Sequence, residues 1–484
     1  MFAVLVTAVT GVAACGTVLG LEDYEFVPAT SDAGASESAA ETSSGDACWR
    51  ADGFGGGLSC FACDAATSIE LMNACTARSC ARFDDRARIA GFDGAVPPPP
   101  DGSVDDVAVV DTGVDANPSL PLCASLPNPV YVIGSSALEL AHRAIGAALV
   151  KSSKATLVYR KEPSCDGLNA ILTDTPIRGV ADYYGPDRTK DPKQCRFADA
   201  GEVAHIGLCD VFPERCIPGF TGLPPDVEDS LGPIQVFMFA TPKTSPEEVI
   251  SRNAAYMVFG FTSGVAPWLD PLHILRRHPG SGTQQFLAAA IGLPVDVWRG
   301  VRVKGSGDMF NSLKDLPPDA IGITSADVAD DFLKKAEIRT LAYQHTAQSC
   351  GFLPDTTRSS WDKRNVRDGH YYLWAPLHMF ARVSGGSIKY GPAREVINVL
   401  RGVTLLPDLD LIGTLKPSGL VPRCAMSVAR LGESGDLRPS PPEIPCDCAF
   451  EAATPGATSC ASCTTDDNCT AAAPKCRFGY CEPR

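Results

Sequence analysis

Between about residues 128 and 410 the apolar positions alternate between two periods. Pro129-Val130-Tyr131-Val132-Ile133 is a continuous apolar run, short enough for a buried strand, and it ends at Gly134-Ser135-Ser136. From Ala137 to Val150 the spacing changes, and Leu138, Ala141, Ile145 and Leu149 share one helical face. Thr156 to Tyr159 and Gly232 to Ala240 again read as strands. Ser245-Pro246-Glu247-Glu248 predicts a helix start: a hydroxyl cap, a proline in the first turn and a glutamate three residues after the cap. Strand–helix pairs follow at 271–276 with 281–291, at 298–303 with 306–314, and at 320–323 with 325–335. Such alternation implies an α/β fold, a largely parallel sheet covered by helices. The length suits two lobes better than one sheet.

The flanks follow neither period. Residues 1–21 hold no charged side chain and are rich in Gly, Thr and Ala, as in an export signal. Val12-Ala13-Ala14-Cys15 resembles the bacterial lipoprotein processing box, which makes Cys15 the candidate lipidation site; no Lys or Arg precedes it. Simple secretion and an uncleaved anchor are the alternatives, and all three place the body outside the cytoplasm, in the periplasm or cell envelope. Residues 22–46 are an acidic, Ser/Ala-rich tether. Residues 47–93 form a Cys-rich module. Residues 94–127 read as a Pro/Asp-rich linker whose polyproline II run, Pro97 to Pro100, spaces that module from the body. The body spans 128–424, and 425–484 is Pro-rich and then Cys-rich.

Charge separates these segments. Of the net −15, residues 1–127 carry −13, from 18 acidic residues against five arginines, and the rest is close to neutral. No dense basic face is available for nucleic acid. A mean hydropathy of +0.01 with one apolar N-terminal stretch excludes a polytopic membrane protein.

The 20 cysteines crowd into short polar segments: five from Cys48 to Cys80 and seven from Cys446 to Cys481. These stretches have too few large apolar residues to bury a core, so they read as disulfide-stapled modules. Cys60-x-x-Cys63 and Cys460-x-x-Cys463 also have zinc-ligand spacing. The export signal favours disulfides. With Cys15 lipidated, 19 cysteines remain, an odd number that leaves at least one free or intermolecular.

The sequence carries no Gly-x-Ser-x-Gly elbow, no His-Glu-x-x-His, no phosphate loop ending in Gly-Lys-Ser/Thr and no dinucleotide fingerprint. Its seven histidines form no metal motif; His273 reads as a strand residue and His278 as a turn residue. Neither a metal nor a cofactor is expected.

The strongest local feature is Leu272 to Thr283, in which a strand ends in Arg276-Arg277 and a glycine turn leads through Ser281-Gly282-Thr283 into a helix. A helix start offers unpaired N–H groups to an anion, and Arg277 adds a charged fork. The plain alternative is an ordinary capped turn. Gly134-Ser135-Ser136-Ala137 and Ser164-Cys165-Asp166-Gly167 also lead into apolar helices, and strand His205 to Leu208 delivers Cys209-Asp210. Taken together these make an anion-binding constellation without a nucleophile–base pair, or else unrelated turns that never converge.

In that order and spacing the chain resembles the periplasmic phosphate-binding protein of ABC-type phosphate uptake systems, in the two-lobed class of solute-binding proteins. The shared marks are Gly134 to Ala137, Ser164 to Gly167, Ile206 to Asp210, Arg277 to Thr283, and Ala320 to Gly322 with Ser325 following. The resemblance implies an α/β, two-lobed periplasmic-binding-protein fold with small disulfide-rich modules at both ends. It implies crossover strands near 232–236 and 343–354, and a non-catalytic site of Ser135, Ser136, Ser164, Asp210, Arg277, Ser281, Gly282 and Thr283. The ligand would be phosphate or a similar oxyanion, with an ABC-transporter permease as partner, the membrane reached through the N-terminal lipid, and no nucleic acid. A phosphatase on the same fold, or a surface display or adhesion protein using the Cys-rich modules, is the alternative. The family often places an acid just before Gly-Ser-Gly-Thr, where this chain has Pro279. Cys165 and Cys209 are expected to hold the site loops through disulfides with Cys195 and Cys216.

Overall fold

A computed structural model describes residues 46–101, 119–454 and 460–483. The signal with Cys15, the acidic tether up to residue 45 and the linker's centre lie outside the described residues.

The chain begins with a hairpin, β1 (Trp49–Gly55) and β2 (Leu58–Phe61), and two short helices, α1 (Ser68–Met72) and α2 (Asp85–Arg88). The body's first half follows: β3 (Pro129–Gly134), α3 (Glu139–Ser152), β4 (Thr156–Lys161), α4 (Ser164–Thr173), β5 (Val180–Tyr183), β6 (Lys193–Arg196), β7 (Ile206–Cys209) and α5 (Pro213–Cys216). A long strand, β8 (Val227–Pro242), leads to β9 (Val249–Ser251), α6 (Arg252–Phe261), β10 (Ile274–Arg276), α7 (Gly282–Ile291), β11 (Val301–Arg302), α8 (Ser306–Leu313), β12 (Ile321–Ser325), α9 (Ala326–Lys334), β13 (Ile338–Thr340) and β14 (Ala342–Gln344). The chain returns in β15 (Trp374–Ser384).

Ten of these strands lie side by side in the order β11-β10-β12-β8-β15-β7-β3-β4-β5-β6. Each half has a parallel centre: β3 pairs β4 and β7, and β10 pairs β11 and β12. β8 and β15 join the halves antiparallel, so the sheet is mixed rather than largely parallel. The α/β architecture with two halves is therefore present.

Alternation along β3 explains how helices cover both faces. Val130 and Val132 join Ala141, Ile145 and Leu149 of α3 in one core, while Tyr131 and Ile133 join Leu168 and Ile171 of α4 in another. Each fully buried aliphatic side chain contributes roughly 1.5–3 kcal/mol.

Of the expected crossovers, the one at 232–236 lies within β8, whose residues up to Val236 pair β15 and whose later residues pair β12 and β13. The second is corrected. Residues 343–354 stay inside the second half, where β14 pairs β9 and Tyr343 bridges Phe352. The return passes through Leu373, whose carbonyl accepts the Phe237 N–H at 2.9 Å.

The helix expected at Ser245 begins at Arg252 instead, capped by Ser251. Val249–Ser251 forms β9 against β14, so tertiary pairing overrides the local capping signal. His273 ends a 3-10 turn beside Asp319 (3.1 Å) and is not on the strand.

Among the described residues the cysteines form nine disulfides. Cys48–Cys63 and Cys60–Cys75 hold the N-terminal module, while Cys424–Cys446, Cys448–Cys460, Cys463–Cys476 and Cys469–Cys481 hold the C-terminal one. Both Cys-x-x-Cys pairs are thus consumed by disulfides. Cys165 pairs with Cys216, one of the two expected partners, but Cys195 pairs with Cys123, and Cys209, expected in a disulfide, is a buried free thiol.

The N-terminal module is not held apart by the proline run. Cys80–Cys350 bonds it to the body, Arg88 pairs with Glu247 at 2.7 Å, and the Tyr256 hydroxyl donates to the Pro97 carbonyl at 2.7 Å. Met72, Phe83 and Ile89 bury in the body's core. That apolar surface explains the docking. Among the described residues no helix is long and apolar enough to cross a membrane.

Candidate functional site

β3 ends at Gly134, where φ is +120° and a Cβ would lie 2.1 Å from the Leu208 carbonyl oxygen, so only glycine fits. The turn lets the Ser135 N–H donate to that same carbonyl at 3.2 Å. The Ser135 hydroxyl then accepts the Ala137 N–H at 3.1 Å, capping the turn into α3, and donates to Asp210 Oδ1. Asp210 stands directly after β7, and its other oxygen, Oδ2, accepts from the Ser164 hydroxyl at 3.0 Å. Ser164 is the first residue of α4.

The second half closes this chain of bonds. The Gly282 N–H, at the start of α7, donates to Ser164 Oγ at 3.1 Å. A Cβ on Gly282 would come within 2.5 Å of Ser164 Oγ and 2.6 Å of Asp210 Cβ, so only glycine permits the approach. The Asp210 carboxylate therefore lies against a helix N-terminus, where its charge is favoured. Ser135, Ser164, Asp210, Ser281 and Thr283 are all at most 5% exposed, so the halves are closed over the site.

Arg277 follows β10. Its N–H donates to Gln284 Oε1 at 2.8 Å and its guanidinium to the Ser306 hydroxyl at 2.6 Å, while its Nε has no partner. Burial pulls its pKa below the ordinary value, and Asp327, Asp210 and Asp308 pull it back. Burial likewise raises the Asp210 carboxyl, opposed by the bonds from Ser135 and Ser164 and by the charges of Arg277 and His378.

Ser135, Ser164, Asp210 and Gly282 are thus joined directly. Ser281 and Thr283 flank Gly282, and Arg277 couples to Asp210 through its charge. Ser136 is half-buried at the start of the 3-10 turn before α3 and is outside this hydrogen-bonded chain. The bonding also revises the donor count. A serine has one hydroxyl hydrogen, and those of Ser135 and Ser164 are already committed to Asp210.

Two further residues escaped the sequence reading. Asp327, in the first turn of α9, is buried, and its Oδ1 accepts from Gln235 Nε2 at 2.8 Å. Burial pushes its carboxyl up to about 6; bonds from Ser325 and Gln235 oppose this, Asp210 adds to it and Arg277 opposes it. Gln235 lies on β8, buried, with its Oε1 unpartnered. One signal was legible: a glutamine interrupts the apolar run Gly232 to Ala240. At the position of the missing acid, the Pro279 carbonyl accepts from Gln285 Nε2 at 2.8 Å.

The described cavities lie elsewhere. One of about 320 Å³ is lined by Lys243, Arg358 and Trp361. The site is recognised by convergent hydrogen bonds and buried charge rather than by open volume.

No family model matches the chain, and no curated protein matches it. Among solved structures, it is similar to a putative phosphate ABC transporter substrate-binding protein with bound phosphate from Clostridium perfringens, at 13% identity and a TM-score of 0.42, covering 61% of this chain and 99% of that one. An ABC-type phosphate transport receptor from Vibrio cholerae matches at 10% identity and a TM-score of 0.39, over 61% and 99% of the two chains. The regulatory domain of a LysR family regulator from N. meningitidis matches at 8% identity and a TM-score of 0.33, over 58% and 96%.

Proposed function

We propose that this chain is an exported, non-catalytic binding protein that captures a tetrahedral oxyanion, phosphate first, between its two α/β halves. The observation that carries the reading is the hydrogen-bonded chain Ser135–Asp210–Ser164–Gly282, which draws residues of both halves onto one carboxylate.

The chemistry favours phosphate over sulfate. Asp210, when ionised, only accepts hydrogen bonds. Phosphate at neutral pH carries a hydroxyl to give it, whereas sulfate would set two anions face to face. The N-terminus of α7 and Arg277 supply positive potential for either ion. Entry requires the closed halves to part, and β8 and β15 are the strands about which they would hinge.

Nine disulfides fit an oxidising compartment. In this reading Cys15 carries the lipid anchor and an ABC-transporter permease receives the ligand. Residues 47–93 and 425–484 are the stapled modules flanking the binding domain, 128–424. Calorimetric titration with inorganic phosphate tests the reading, and release of phosphate from a chromogenic ester would overturn it in favour of a phosphatase.

A further inference from the structure

We infer that Asp327 and Gln235 form a second hydrogen-bond-accepting wall of the cleft, supplying from α9 and β8 the acceptor that Pro279 cannot, and that the preferred ligand is an oxyanion bearing two hydroxyl groups, dihydrogen phosphate being the simplest. The inference rests on the oxyanion reading of the cleft and refines it.

The open valences point this way. Arg277 Nε is a donor without a partner, and Gln235 Oε1 is a buried acceptor without one. Asp327 is buried and accepts from Gln235 and Ser325 but keeps lone pairs beyond these, and Asp210 keeps lone pairs beyond the two serine bonds. A ligand that meets all of these must accept from the guanidinium and donate on two sides, toward Asp210 and toward the Gln235–Asp327 pair. Sulfate only accepts. Monohydrogen phosphate donates once. Dihydrogen phosphate donates twice.

Charge agrees with valence. With both carboxyls ionised the cleft holds two negative charges against the one of Arg277, so a monoanion is opposed less than a dianion. The charged or titratable groups around Asp327 are Asp210 after β7, Arg277 after β10, and Tyr159 on β4. Asp308 on α8 acts on Arg277. On α9 itself Asp330 is paired with Lys363 at 2.9 Å, and Lys416, in a turn packed on α9, interacts with Lys334, Lys363 and Asp330. Burial pushes the Asp327 carboxyl up to about 6. Below that pH the carboxyl carries a proton but keeps a carbonyl oxygen that accepts, its charge no longer opposes the anion, and the ligand is also more protonated. Affinity should therefore fall as pH rises through about 6.

The test is calorimetry of inorganic phosphate and sulfate on the full, disulfide-bonded chain, at about pH 5 and about pH 8. Heats measured in buffers of different ionisation enthalpy count the protons taken up. The unmodified protein should bind phosphate about tenfold or more tightly at the lower pH and take up protons at the higher one. Asp327→Asn should flatten that dependence and reduce the preference for phosphate over sulfate by about tenfold. A variant that keeps both the pH profile and the selectivity overturns the inference while leaving the oxyanion reading in place. An unmodified protein that binds no phosphate at either pH overturns both. Gln235→Met keeps the side-chain length and is the second probe: it should weaken phosphate and spare sulfate, and equal loss for the two ions counts against the wall.

Discussion

Ser164 donates its hydroxyl hydrogen to Asp210 Oδ2 at 3.0 Å, while Ser164 Oγ accepts the Gly282 N–H at 3.1 Å. One serine therefore ties the carboxylate of the first half to the helix start of the second. Because Asp210 is the acceptor of this arrangement, Asp210→Asn should narrow the gap between phosphate and sulfate. Arg277→Ala should weaken both ions together, since a guanidinium charge does not distinguish them. Calorimetry on the two variants measures both effects, and a selectivity that collapses in Arg277→Ala but not in Asp210→Asn would reverse these roles.

Gly282→Ala probes the closure directly. The added methyl would meet Ser164 Oγ at 2.5 Å and Asp210 Oδ2 at 2.7 Å, neither of which can retreat without breaking its own bonds. Overpacking of this kind costs roughly 1–3 kcal/mol. We expect phosphate affinity to drop by about tenfold or more. Binding at the unmodified affinity would mean that Gly282 does not approach the carboxylate when ligand is present.

The staple between Cys80 and Cys350 closes a sequence separation of 270 residues. Restricting so long a loop in the unfolded chain stabilises the fold by roughly 2–5 kcal/mol. Replacing both residues with serine should lower the melting temperature and release the N-terminal module to limited proteolysis. A melting temperature unchanged by the double replacement would show that Arg88–Glu247 and the apolar contacts of Met72, Phe83 and Ile89 suffice.

His142 of α3 is fully buried against Tyr159 at 4.5 Å, and neither ring nitrogen has a partner. Burial holds its pKa down to about 3, below the ordinary 6.5. The folded state therefore keeps it neutral where the unfolded chain binds a proton. Its stability contribution is intact above pH 6.5 and is lost as pH falls toward about 3. At about pH 5 the loss is roughly 2 kcal/mol. His142→Leu should raise the melting temperature more at pH 5 than at pH 8. An equal gain at both would point to packing alone.

Much of the site was legible because its parts are local. The turns at Gly134, Ser164 and Gly282 each follow a strand and open a helix within a few residues, and the apolar periods mark those boundaries. What the sequence hid was long-range. Nothing near Ser245 announces that Val249–Ser251 will pair with β14 almost a hundred positions on, so a good capping pattern there was overruled. The partners of Cys80 and Cys195 lie in remote segments and follow only from the fold. Asp327 looked like any acid in a helix's first turn, a common choice for the helix dipole. Only its burial beside Asp210, Arg277 and Gln235 sets it apart.

In the proposed reading, Asp210 and the start of α7 bound an oxyanion cleft. Titration of the purified, oxidised protein with inorganic phosphate, and in parallel with sulfate at matched ionic strength, tests it most directly. Saturable binding at one site per chain is expected, with phosphate preferred by about tenfold or more because an ionised, buried acceptor must be paired. Equal affinity for the two ions, or no heat with either, would contradict it.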